Sequence, residues 1–224
     1  MIESVWQHSN HKLNTKTTKN TTSNKNSFAQ IFSNHTPDQK KFHTPPKSTF
    51  GQQFNFKNIT DQDLPLLLKN FHKNHQNKAM FLSHNNISDQ GFNQLATHLK
   101  NDTIVNHLIL SHNAIQFSEF AKQALADLLK INRFIGWLVL NHNNIEDVGA
   151  NHLGQALQNN QSVKHLVLSD NLITDTGLEQ LLQYLDNHPT IESIFIENNR
   201  LTQQGHQLLN TFQQNNPQVK RIVY

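Results

Sequence analysis

The sequence predicts an α/β solenoid, one strand-and-helix unit repeated along the chain, and three observations carry that prediction. An apolar-x-apolar triplet is followed three residues later by an asparagine and two further on by an apolar residue, at Asn85, Asn113, Asn143, Asn171 and Asn199. The asparagines are spaced 28, 30, 28 and 28 residues apart, and self-similarity at a period of roughly 20 to 50 residues signals stacked units rather than a closed core. Within each unit a Leu-x-Leu segment of period 2 gives way to Gly-x-x-x-Leu-x-x-x-Leu, one stripe of a helix.

The elements follow in order. Subtracting one period from the first clear copy gives a degenerate first repeat over about 52–79, where Phe54, Ile59, Leu67 and Phe71 keep the apolar positions and Lys57 replaces the asparagine. Full repeats start near Met80, Leu108, Leu138, Leu166 and Ile194, and a closing strand spans 222–224. Terminal units of a solenoid are expected to be atypical, because one side of each has no neighbour. Four of the seven glycines share one register, Gly91, Gly149, Gly177 and Gly205, each followed four residues later by leucine. Cap-like pairs precede the helices: Thr60-Asp61, Ser88-Asp89, Glu146-Asp147, Thr174-Asp175 and Thr202-Gln203. Side chains of this kind accept from the orphan amides of a first helical turn. The second copy is two residues longer, and the extra pair falls between Ile115 and Ala121, in loop. In the last helix Gln213 stands where a leucine is expected.

Two regions are expected: a polar leader over 1–50 and a repeat domain over 51–224. The leader holds seven lysines against Glu3 and Asp38, a balance of +5 that leaves about −2 for the rest of a chain with formal charge +3. Poor in aliphatics, it cannot bury enough apolar surface to offset the entropy of ordering and is expected to be disordered, with small apolar islands at Val5-Trp6 and at Phe28, Ile31 and Phe32. The high pI therefore belongs to the leader. With no cysteine, disulfides and thiolate metal sites are excluded. Residues 1–12 lack the apolar core of a general secretory signal, and no apolar run reaches membrane-spanning length. The expected setting is cytoplasmic.

The unit L-x-L-x-x-N-x-I-x-x-x-G-x-x-x-L-x-x-x-L resembles the leucine-rich repeat of the ribonuclease-inhibitor type over about residues 52–224. The resemblance implies a right-handed horseshoe, a parallel sheet on its concave face, helices on the convex side and a buried asparagine ladder. Composition also makes the chain similar to leucine-rich-repeat effectors that intracellular bacterial pathogens inject into host cells, a resemblance that implies, as the alternative setting, a host cell reached by a specialised secretion system.

Function is sought on the surface this fold leaves open. In each strand the residue between the two core-facing apolar ones points the other way, which aligns Phe81, Ile109, Val139, Val167, Phe195 and Val223. A continuous apolar stripe of this kind marks an interaction site. Beside it run Ala79, His107, Trp137, His165 and Ser193, with Trp137 the expected anchor, since aromatic anchors dominate interface energetics. His84, His112, His142 and Asp170 form a column just before the ladder asparagines and are read as a polar rim. A metal is not expected there, because parallel side chains stay a strand spacing apart instead of closing a tetrahedron. No catalytic constellation is legible, and no cofactor or small-molecule substrate is expected. The expectation is a non-enzymatic module binding a protein partner. The alternative, by family resemblance, is a regulator that accelerates GTP hydrolysis by a small GTPase, for which Arg133, Arg200 and Arg221 are the candidates. RNA binding through the leader lysines ranks below both. The final strand offers an edge for weak self-association, unless Lys220 and Arg221 blunt it.

Overall fold

The computed structural model describes residues 51–55, 57–71 and 78–224. The leader expected over 1–50, with its apolar islands, lies outside the described residues.

Short strands alternate with helices throughout: β1 (Gly51–Gln53), α1 (Leu64–Phe71), β2 (Ala79–Phe81), α2 (Asp89–Leu99), β3 (His107–Ile109), α3 (Glu119–Ile131), β4 (Trp137–Val139), α4 (Asp147–Leu157), β5 (His165–Val167), α5 (Asp175–Leu185), β6 (Ser193–Phe195), α6 (Gln203–Asn215) and β7 (Arg221–Val223). The seven strands form one parallel sheet in chain order. Its register repeats the sequence alignment: Met80 lies opposite Leu108, Leu108 opposite Leu138, Leu138 opposite Leu166, and Leu166 opposite Ile194. These strand centres, together with Leu82, Leu110, Leu140, Leu168 and Ile196, join Leu95, Leu125, Leu153, Leu181 and Leu209 of the helices in one buried cluster. Each helix thus covers one face of the sheet with the leucine stripe its spacing predicted.

Polar side chains lock successive repeats together in three ladders. The first is the expected one. Asn143 donates from Nδ2 to the carbonyls of Leu110 and Leu140 at 2.9 and 3.0 Å and accepts from Ile115 N at 3.0 Å. Asn85, Asn113, Asn171 and Asn199 do the same one repeat at a time. Bonding of both ends of the amide is what makes a polar residue tolerable among leucines.

The second ladder runs through the return loops that follow the helices, at Asp102, Asn132, Asn160, His188 and Asn216, all buried. Asn132 accepts from Phe134 N and Ile135 N and donates to the carbonyls of Leu99 and Asp102. Asn160 accepts from Ser162 N and Val163 N and donates to the Leu129 carbonyl. His188 fills the same place with a ring, Nε2 facing the Leu157 carbonyl at 2.9 Å and Nδ1 facing Thr190 N at 3.4 Å.

The third ladder corrects the reading of the helix starts. Ser88, Thr174 and Thr202 cap as expected, accepting from Gln90 N, Thr176 N and Gln204 N. The aspartates beside the caps serve the next repeat instead. Asp61 accepts from Ser88 N and Oγ, Asp147 from Thr174 N and Oγ1, and Asp175 from Thr202 N and Oγ1. The glycine register now has a cause. A Cβ on Gly91, Gly177 or Gly205 would stand 2.2–2.4 Å from the Oδ1 of Asp61, Asp147 or Asp175, so the missing side chain is the seat of the preceding repeat's carboxylate.

The ladder runs on through the longer second repeat, where Asp89 accepts from Ser118 N and Oγ, and it breaks one repeat later, where Glu119 and Glu146 replace the aspartate and the hydroxyl residue. Asp89 also takes the Gln116 and Phe117 amides of the inserted loop on its other oxygen, and Phe117 is buried with φ of 54°. A Cβ on Gly149 would meet the Gln116 carbonyl at 2.1 Å. Glu119 replaces the aspartate and contacts buried His152, whose other ring nitrogen lies 2.8 Å from the Phe117 carbonyl. Glu146 makes no side-chain cap bond. In the first repeat Thr60 donates to Asp63, and α1 starts only at Leu64, later than the Thr60-Asp61 pair suggested. At the other end, buried Phe212 compensates for Gln213.

Candidate functional site

The face of the sheet turned away from α1–α6 carries three columns of side chains, fixed by the parallel register. The central column is the apolar row Phe81, Ile109, Val139, Val167 and Phe195, with Ile109 opposite Val139 and Val139 opposite Val167. These residues stand apart from the main core cluster. The sequence expects them to be solvent-exposed, and in this the structure corrects it: Val139 and Val167 are 0% exposed and Phe195 is 9% exposed. The row stands about 4.8 Å apart on neighbouring strands, with a ring column on either flank. At the last strand Val223 is half-buried.

The first flanking column is Ala79, His107, Trp137, His165 and Ser193. The Trp137 ring lies between two imidazoles, 5.9 Å from His107 and 3.9 Å from His165. Burial holds both histidines below their ordinary value; for His107 the neighbouring His165 adds to the effect, and for His165 the nearby Glu192 opposes it. The column therefore presents neutral stacked rings at neutral pH. Glu192 is bound on two sides, by Lys164 at 3.2 Å and Lys220 at 2.9 Å, and these ammonium groups hold its carboxyl below the usual range.

On the other flank His84, His112 and His142 stack face to face, with ring centroids 3.9 Å apart in each pair. His142 Nδ1 lies 3.3 Å from Asp170, which accepts from Asn198 Nδ2 at 2.9 Å. The backbone explains which residue types occupy this column. His84, His112, His142, Asp170 and Asn198 all have φ between 54° and 59°, and histidine, aspartate and asparagine are the non-glycine residues that best tolerate the left-handed region. Ring planes tilted by only 15° and 22° stack the imidazoles instead of turning their nitrogens to a common point. Among the described residues no group of three His, Cys, Asp or Glu side chains is arranged to hold a metal ion.

The arginines considered for GTPase regulation do not converge. Arg133 precedes β4 in a return loop, Arg200 follows the ladder residue Asn199 beyond the opposite end of β6, and the Arg221 guanidinium sits 5.1 Å over the Phe195 ring. Among the described residues β7 pairs only with β6, and no helix is long and apolar enough to cross a membrane.

A family model described as a leucine-rich repeat matches residues 159–182. No curated protein matches the sequence. Among solved structures the chain is similar to leiomodin-1 actin-binding site 2, at 18% identity and a TM-score of 0.49, over 59% of this chain and 78% of that one. The matched residues are one copy of a unit that recurs in register through a seven-stranded parallel sheet, and the fold is that of a leucine-rich-repeat solenoid.

Proposed function

We propose that the chain is a non-enzymatic binding module that takes a protein partner on the sheet face turned away from its helices. One observation carries the reading: the Trp137 indole is held between His107 and His165, beside a row of five aligned apolar residues. An amphipathic ring held by its neighbours has little conformational entropy left to lose when a partner arrives, which is why such residues dominate binding energy. The buried row acts as the floor that fixes the height and spacing of the ring columns. His84, His112, His142 and Asp170 supply the polar rim on the far side.

The test places a photo-crosslinking amino acid at His107 on this face and, separately, at exposed Gln155 on α4. In cell lysate the expected result is a discrete protein adduct from position 107, absent from position 155 and lost on Trp137→Ala. An adduct that forms equally from the helix side, or that survives Trp137→Ala undiminished, overturns the assignment.

A further inference from the structure

The return loop after α3 differs from those beside it. Helices α2 and α4 stop at Leu99 and Leu157, whereas α3 runs on to Ile131, directly before the ladder residue Asn132. Ile131 and Phe134 are 44% and 46% exposed, where the following repeat has Asn159 and Ser162. Ile104, half-buried, occupies the position of Phe134 one repeat earlier. The patch is not a loose tip: Asn132, 2% exposed, accepts from the amides of Phe134 and Ile135 at 2.9 Å each and donates to two carbonyls of the preceding loop. Two large apolar side chains are thus held outward on a buried anchor.

The charges around them are unbalanced. Lys130 precedes Ile131, Arg133 lies between the two apolar residues, and both are exposed; among the described residues neither has an ion-pair partner. On the same rim further along, Lys164 and Lys220 are both engaged by Glu192. Unpaired cations around apolar side chains fit an occupant that brings carboxylates and an apolar group together.

We propose that this rim is a second docking site, separate from the sheet face, for a segment of a partner protein in which acidic residues flank an apolar side chain. Ile131 and Phe134 receive the apolar group, and Lys130 and Arg133 pair with the carboxylates. A flat anionic membrane is a poorer match, because exposed Asp186 and half-buried Glu192 stand on the same rim and would be pressed against like charge.

The test selects peptides from a displayed random library on the full chain. Synthetic versions of the winners are then measured by fluorescence anisotropy against wild type, Phe134→Ser and the Lys130→Glu/Arg133→Glu double variant. All three positions are exposed, and circular dichroism checks that each variant stays folded. The expected winners carry acidic residues on both sides of Leu, Ile, Phe or Trp. Their affinity is expected to fall at least tenfold in the double variant, several-fold in Phe134→Ser, and steeply with added salt. Winners without acidic residues, or affinity unchanged in the folded double variant, refute the proposal. Phosphatidylserine vesicles that bind wild type and lose the double variant, with no acidic peptide selected, refute it in favour of a membrane surface.

Discussion

Replacing Gly205 with alanine tests the link between the aspartate ladder and the glycine register. In an ordinary helix interior, alanine is about 1 kcal/mol better than glycine. Here the new Cβ would lie 2.2 Å from Asp175 Oδ1, while its next neighbours, Asp175 Cγ and Leu201 Cβ, are both 3.2 Å away. One carboxylate oxygen therefore makes most of the clash, and that oxygen accepts from Thr202 N at 2.9 Å, so it cannot withdraw without losing the repeat-to-repeat bond. Overpacking of this kind costs about 1–3 kcal/mol, so Gly205→Ala is expected to destabilise by about 1 kcal/mol net in the wild-type background. In an Asp175→Ala background the clash is gone and the helix preference reappears, so the same substitution is expected to be neutral or to stabilise by up to about 1 kcal/mol. The cycle should give a coupling of about 1–2 kcal/mol, well above the few tenths expected for independent sites. Because single repeats of a solenoid can open locally, hydrogen exchange of the α6 amides should accompany thermal unfolding of the four proteins. Gly205→Ala stabilising wild type as much as Asp175→Ala would show that the carboxylate does not dictate the glycine.

Other outcomes follow from the same geometry. Asn143→Ala removes bonds to two carbonyls and leaves the Ile115 amide buried without its acceptor. At about 1–3 kcal/mol per orphaned group, a loss of about 3–5 kcal/mol is expected in urea denaturation, and a loss below about 1 kcal/mol would remove the ladder as a main source of stability. His188 accepts at Nδ1 and donates at Nε2, an arrangement only the neutral ring can make, and burial holds it below its ordinary value. Its contribution is therefore present above about pH 6.5 and is lost as the pH falls through the lower folded value. His188→Asn, which restores the residue type of this ladder, should flatten that acid limb; identical melting curves for the two proteins at pH 5 and pH 8 would contradict it. Val139→Glu places a carboxylate where the native side chain is 0% exposed, and a loss of at least about 3 kcal/mol is expected. An unchanged melting temperature would mean that the row is open to water after all.

Much of the architecture is legible in the sequence. The period aligns the strand residues that the sheet sets opposite one another and the polar position just before each ladder asparagine. The return-loop ladder was equally within reach: Asp102, Asn132, Asn160, His188 and Asn216 are spaced 30, 28, 28 and 28 residues apart, in phase with the first asparagines. Its members are chemically mixed, so equal spacing joins equivalent hydrogen bonds that no shared residue type marks. The aspartates read as local caps in the sequence, whereas each bonds the following repeat. A cap bond is local and can be inferred from neighbours in the chain, whereas Asp147 reaches Thr174 across 27 residues.

By itself the sequence determined the repeat, its strand-to-helix order and which side chains share a row, because these follow from covalent spacing and backbone periodicity. Tertiary structure alone decided which rows meet water. Val139 was expected to be exposed and is buried, while the contrast between paired Lys164 and unpaired Arg133 exists only between repeats. Burial, stacking and ion pairing are properties of neighbours in space, and in a solenoid those neighbours lie a full period away along the chain.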